Sequence, residues 1–329
     1  MVNSLVRRFR KVLSRCRVRL ATWIFKIRRG LGLAGRLETS NAALPENLTG
    51  IMSLKCDRPE RVAILSAILA HYATAMNQSR VALKVLDGSV DEFSRQTKQL
   101  FGACASPIEW SAGPERLPQA YLKMLQNTSQ PYFYLQFDDF ISVGLTPKFL
   151  AASCELMRRY AGLVNVISVE WPVEVKVDDR ERSVDVVAYE VSQQRYHFGI
   201  GEPQTPAFIE TVDGFRFAIF ENFQYGFFFH NLIANTRDFA TRLEWYMRHV
   251  SPTSAHAIET AAAQRICGPF WTHLAVNLDG VSLLDLDFAQ TRQDVRPETA
   301  RNAPVFRALQ AGYALRSFVR ADGKLVRAA

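Results

Sequence analysis

Four aspartates, Asp57, Asp87, Asp138 and Asp139, stand just beyond short apolar runs in the first half of the chain. Carboxylates gathered at one rim can do two kinds of chemistry. They give oxygen ligands to a hard divalent cation such as Mg²⁺ or Mn²⁺. They also accept protons and hydrogen bonds from hydroxyl groups. A solvated turn or a helix start uses the same residues for neither purpose, and Asp87-Gly88-Ser89 has turn chemistry of its own. Asp178-Asp179 is an acid pair of that second sort, centred in a polar stretch between two strand-like runs. Asp285-Leu286-Asp287 spells D-x-D but lies late in the chain. The six histidines show no H-x-x-x-H spacing and the five cysteines no C-x-x-C, which excludes the common zinc signatures. Odd, scattered cysteines also speak for a reducing compartment rather than a disulfide framework.

These acids need elements to position them. Apolar runs at 50–54, 81–86, 107–110, 132–137 and 164–169 read as strands, and the stretches 59–76, 90–101, 114–127 and 146–160 between them as helices. Strand alternating with helix implies right-handed crossovers and an α/β fold, a mostly parallel sheet with flanking helices. Ligands of such sheets bind outside the carboxyl ends of the strands, where the aspartates fall. The second half reads differently: a hairpin over 172–191, short strands to about 233, then helices at 237–249 and 254–266. Eight aromatics between 215 and 229 suit a core wall.

Charge divides the 329 residues further. Residues 1–36 hold eleven Lys/Arg and no acid, while the remainder carries 29 basic against 32 acidic residues. Leu5, Phe9, Leu13, Cys16, Leu20, Trp23, Ile24, Ile27 and Leu31 recur at helical spacing, so this arm reads as a basic amphipathic helix suited to an anionic membrane surface. A nucleic-acid partner is not expected, because the body is acidic. Gly30-Leu31-Gly32-Leu33-Ala34-Gly35 spells G-x-G-x-x-G, but a basic helix precedes it and a linker follows, so it is no dinucleotide fingerprint. The expected organisation is an arm (1–36), a linker (37–48), a body (49–290, in halves 49–170 and 171–290) and a basic C-terminal tail (291–329). Together with the cysteines, the arm predicts a cytoplasmic protein peripheral on the cytoplasmic face of a membrane.

Three stretches, in order, carry a resemblance. Leu54-Lys55-Cys56-Asp57-Arg58-Pro59-Glu60-Arg61-Val62 is similar to P-T-Y-N-R-P-E-x-L, and Leu86-Asp87-Gly88-Ser89-Val90-Asp91 to D-D-G-S-x-D. Gln136-Phe137-Asp138-Asp139 is similar to D-x-D-D after an apolar strand. Over about residues 50–170 the chain thus resembles the GT-A fold nucleotide-sugar glycosyltransferases of the inverting family-2 type. It departs from them at Lys55 and Cys56, where the family has Thr and Tyr, and at Leu86 and Gln136, where it has Asp.

The resemblance implies a GT-A (Rossmann-like) fold. It also implies metal-assisted transfer of a sugar from a nucleotide-diphosphate sugar to a glycan or lipid-linked acceptor. Asp138 and Asp139, with His273, would serve Mn²⁺ or Mg²⁺. Asp57, Arg58, Asp87, Gly88 and Asp139 would bind the nucleotide sugar. Glu259, in a stretch similar to E-D-x-x-L-x-x-R-L, would be the general base, with Asp238 at another helix start in reserve. Two alternatives stand beside this reading. Leu86 and Gln136 motivate a non-catalytic GT-A-like scaffold that binds nucleotide or glycan. A sugar nucleotidyltransferase would want a Gly-rich phosphate loop, and residues 53–58 contain no glycine.

Overall fold

The structure, a computed structural model, describes residues 44–57, 59–112, 117–138, 140–168, 174–189, 206–224, 231–250, 271–278, 281–285, 297–321 and 324–327, and four positions before them, Val12, Cys16, Leu20 and Trp23. The first half alternates as its apolar pattern requires, apart from the added strand β5: β1 (Leu48–Leu54), α1 (Pro59–Ser79), β2 (Leu83–Asp87), α2 (Asp91–Leu100), β3 (Ile108–Ala112), α3 (Leu117–Gln126), β4 (Tyr132–Phe137), β5 (Phe140–Val143), α4 (Pro147–Arg159) and β6 (Val164–Ser168). Every residue of β1 is buried, as expected of a central strand covered on both faces. Pro59 opens α1 and Pro147 opens α4, where a missing N–H costs nothing. Thr146 caps α4 by accepting the Phe149 N–H at 3.2 Å.

The second half supplies β7 (Glu174–Asp178), β8 (Ser183–Tyr189), β9 (Phe208–Val212), β10 (Phe215–Gln224), β11 (Leu232–Asn235), α5 (Thr236–Val250), β12 (Trp271–Asn277), β13 (Ser282–Asp285), α6 (Pro297–Gln310), β14 (Ala314–Ala321) and β15 (Lys324–Arg327). Among the described residues, nine strands form the main sheet in the order β3-β2-β1-β4-β11-β6-β12-β10-β9. The block β3-β2-β1-β4 is parallel throughout. Reversed β11 lies between β4 and β6, so β6 points the same way as β4. From β1 the chain winds outward through β2 and β3, then crosses back to lay β4 on the other side of β1. The switch point therefore lies between β1 and β4.

Alternate strand residues face two cores. Met52, Val85 and Tyr134 join the cluster with Leu65, Ile68 and Tyr72 of α1 and Phe149 of α4. Ile51, Leu86, Phe133 and Leu135 join the cluster with Tyr121 of α3 and Phe239 and Leu243 of α5. The architecture is a Rossmann-like α/β sandwich with helices on both faces. Phe215, Phe217 and Phe220 of the aromatic run are buried in these cores.

The Asp178-Asp179 segment is a hairpin turn, with the Asp178 carboxylate accepting the N–H groups of Arg180 and Glu181. The reading of 291–329 as a basic tail is corrected. Val305, Phe306 and Ala308 of α6 are buried, and β14 pairs in parallel with β8 in a second sheet, β15-β14-β8-β7. Arg316, one of the charges that suggested a tail, forks onto Asp185 at 2.7 and 3.0 Å. Val12, Cys16, Leu20 and Trp23 are helical and exposed. No helix among the described residues is long and apolar enough to cross a membrane.

Candidate functional site

The switch-point crevice is built from the loop after β1 and the turn after β4. Asp138, just past β4, is 7 % exposed. Its Oδ2 accepts the Lys55 N–H at 2.6 Å and meets the Arg61 guanidinium at 3.4 Å. Arg61 comes from the first turn of α1. It also donates to the Lys55 carbonyl at 3.2 Å and lies 3.7 Å from Asp57 Oδ1. Two acids from different strand ends thus bracket one guanidinium. Burial pushes the Asp138 carboxyl up, and Arg61 and the Lys55 N–H oppose that rise. Burial likewise pushes the neighbouring Cys56 thiol up to about 11, so it is no thiolate nucleophile near neutral pH.

The ends of β1 and β2 are laced together beyond the strands. Gly88 N–H donates to the Leu54 carbonyl at 2.9 Å, Cys56 N–H to Ser89 Oγ at 3.0 Å, and Val90 N–H to the Cys56 carbonyl at 3.2 Å. A Cβ on Gly88 would stand 3.2 Å from the Leu54 carbonyl oxygen, so glycine serves the approach of two backbones there. Asp87 accepts the Ser89 N–H at 3.0 Å through one oxygen and the Ser94 hydroxyl at 2.7 Å through the other. It holds the β2–α2 turn, and each oxygen keeps a second lone pair for a ligand.

A buried polar network beneath the crevice sets the β4–β5 turn. Gln136 donates to the Phe137 carbonyl at 2.7 Å and the Phe140 carbonyl at 2.5 Å. Its carbonyl accepts from Tyr134 and Ser142 at 3.2 and 3.3 Å. Asn231 accepts the Phe137 N–H at 3.0 Å and donates to Ser142 at 2.8 Å. The departure from Asp at position 136 thus places a fully buried clamp under Asp138. Leu86, the other departure, packs into the α3 side of the core.

Not every expected residue reaches the crevice. Strand registers set His273 level with Pro131, roughly 20 Å down the strand direction from Asp138. Asp238 lies at the same far end, because Thr236 N–H bonds the Pro131 carbonyl. Its carboxylate takes the Nε of buried Arg242 at 2.5 Å, a helix-start ion pair. Arg58, Asp139 and Glu259, and the helix expected at 254–266, lie outside the described residues. Antiparallel pairing of β13 with β5 sets Asp285 opposite Phe140, two residues from Asp138, so the late D-x-D begins beside the same turn. Arg61 and Asn231 were not singled out from sequence. Arg61 had a signal, its i,i+4 spacing from Asp57.

The described residues at Asp138 do not fit a divalent cation. Among them, no three His, Cys, Asp or Glu side chains are grouped to hold one. An ion on Asp138 would also crowd the Arg61 guanidinium. Like charges about 4 Å apart repel by roughly 4 kcal/mol per unit pair at an effective dielectric near 20.

No family model and no curated protein matches the chain. Solved structures that align with much of the chain do exist. One is 4-diphosphocytidyl-2C-methyl-D-erythritol synthase from Anaerococcus prevotii, 8 % identical with a TM-score of 0.37, the match covering 72 % of this chain and 90 % of that one. Another is a candidate glucose-1-phosphate thymidylyltransferase from Bacillus anthracis, 12 % identical with a TM-score of 0.41, covering 72 % and 89 %. At these values neither assigns a reaction to this chain.

Proposed function

We propose that the chain is a transferase acting on a nucleotide-activated sugar, with the nucleotide diphosphate seated between the ends of β1 and β4. The carrying observation is the meeting of Asp57, Arg61 and Asp138 at the switch point, with Asp87 at the adjacent strand end. Ligands of open α/β sheets bind there. The resemblance over residues 50–170 supports glycosyl transfer to a glycan or lipid-linked acceptor. In that reaction the sugar's anomeric carbon exchanges its bond to the diphosphate for one to the acceptor oxygen. Arg58 and Asp139 would line the rim. Glu259 would take the acceptor proton, a role worth roughly 10²–10⁴-fold.

Nucleotidyl transfer is the second reading, and a thymidylyltransferase is named for one of the solved structures above. Two amides of the loop after β1, those of Lys55 and Cys56, are engaged by Asp138 and Ser89, which disfavours a phosphate cradle at those positions. The same proposal sets the enzyme on the cytoplasmic face of an anionic membrane, with residues 1–36 as the contact.

The test is a thermal-shift panel of UDP-, GDP-, dTDP- and CMP-sugars, each with Mn²⁺ and with chelator. A ligand at a hundredfold excess over Kd stabilises by about 2.7 kcal/mol, a readable shift. One nucleotide should stabilise the protein. Release of nucleoside diphosphate then marks glycosyl transfer, and release of pyrophosphate from a nucleoside triphosphate marks nucleotidyl transfer. A folded sample that responds to none of the panel overturns the proposal. Binding without turnover leaves the scaffold reading.

A further inference from the structure

We infer that Arg61 is the built-in cation of the crevice, serving Asp57 and Asp138 in place of a divalent metal ion. The guanidinium is held from three directions: Asp138 Oδ2 at 3.4 Å, Asp57 Oδ1 at 3.7 Å and the Lys55 carbonyl at 3.2 Å. Its side chain is only 11 % exposed, against 8 % for Asp138 and 32 % for Asp57. The group is therefore set into the floor, with the more exposed acid at the rim. The backbone fixes it as well. Lys55 contributes its N–H to Asp138 and its carbonyl to Arg61, so one peptide residue aligns both partners.

Guanidinium and metal differ in ways that can be measured. A guanidinium offers five donors in a planar fork and does not lose its charge in a protein. A Mg²⁺ ion demands near-octahedral oxygen ligands at 2.0–2.1 Å and leaves in chelator. With Arg61 in place, a diphosphate entering the crevice meets a positive group that neither pH nor chelator removes.

The inference concerns the crevice of the proposed function but stands on the contacts of Arg61 alone. Its probes are therefore the metal and inorganic pyrophosphate, not a donor sugar. Failure of the donor panel and failure here are separate results.

The experiment follows Mn²⁺ uptake by electron paramagnetic resonance, for the full chain and for Asp138→Asn, with and without pyrophosphate. The expected result is no Asp138-dependent uptake in either condition. Arg61→Gln leaves two carboxylates facing each other. It should melt lower in chelator, on the order of 5 °C or more, and recover with Mn²⁺. The double variant Arg61→Gln/Asp138→Asn should not respond to the metal. Asp138-dependent Mn²⁺ uptake by the unaltered chain overturns the inference, and so does a folded Arg61→Gln protein indifferent to Mn²⁺. Should Arg61→Gln not fold, the comparison of the unaltered chain with Asp138→Asn decides alone.

Discussion

At the residue scale, two residues have roles that their types alone conceal. Gln136 stands where an aspartate would complete D-x-D-D, yet its amide binds two turn carbonyls that a carboxylate would repel. Gln136→Asp would bury a charge and remove both donated hydrogen bonds. We expect it to lose about 2–3 kcal/mol or more in chemical denaturation, although it restores the motif. Stability equal to the original would remove the clamp. Gly50 is the second case. A Cβ there would lie 2.5 Å from the Tyr72 hydroxyl and 3.0 Å from Leu83 Cδ1. That hydroxyl is buried with no hydrogen-bond partner among the described residues. Gly50→Ala should therefore cost about 1–3 kcal/mol through overpacking. Tyr72→Phe should cost little, and in the double variant it should return most of the loss. A strictly additive double-mutant cycle would show that the hydroxyl is not what Gly50 accommodates.

At the element scale, the part of the fold legible in the sequence is the part with local signals. From β1 to β6 each strand and helix except β5 announces itself by its apolar period and its flanking Asp, Pro or Gly, so the acids at strand ends could be placed. Pairings between distant segments carry no such signal. The β14–β8 pair joins Arg316 to Asp185 across 131 residues, and Val305 and Phe306 are buried within a stretch whose charge alone suggested a tail. The same limit hid β13, which brings Asp285 to the β4–β5 turn. It also hid reversed β11, which starts α5 at the foot of the sheet and carries Asp238 away from the crevice. That foot has a pocket of about 300 Å³, lined by residues that include Tyr132, Cys154, Glu155 and Arg158. On α4, Glu155 accepts Arg158 at 2.7 and 2.8 Å and Arg159 at 2.8 Å. Partial burial pushes the Glu155 carboxyl up, but the two arginines together outweigh it and hold the group below its usual range. A depressed carboxyl contributes stability above its unfolded pKa, and that contribution fades as pH falls through the folded value. Glu155→Gln should therefore cost about 0.5–1 kcal/mol near neutral pH, on the scale of half-exposed pairs. Denaturant midpoints should converge with those of the unaltered chain once pH has fallen below the usual glutamate range and through the depressed folded value. A gap that persists or widens in acid would assign the effect to packing instead.

At the scale of the whole molecule, the charge map and the exposed apolar residues point to the same end of the chain. Val12, Leu20 and Trp23 are 57 %, 58 % and 62 % exposed, and with Cys16 they follow one another at intervals of three or four residues along a helix. They sit in a segment with eleven basic residues and no acid, ahead of a body with more acidic than basic residues. Electrostatic attraction to anionic lipid supplies roughly 1 kcal/mol per near-surface Lys or Arg, and insertion of apolar groups adds about 0.8 kcal/mol per buried methylene. The two contributions can be separated. Leu20→Ser/Trp23→Ser keeps every charge and removes two large exposed apolar groups. The unaltered chain should sediment with phosphatidylserine-containing vesicles and not with phosphatidylcholine alone. The double variant should bind at least tenfold more weakly at physiological salt and recover part of the difference at low salt, where screening relaxes. Equal binding by the double variant at physiological salt would leave charge as the whole interaction. Equal binding to the uncharged vesicles would remove the electrostatic half. If both halves hold, the arm brings the crevice to the surface where a lipid-linked acceptor would be presented, and weakened sedimentation should then lower transfer to a membrane-borne acceptor while leaving nucleotide binding unchanged.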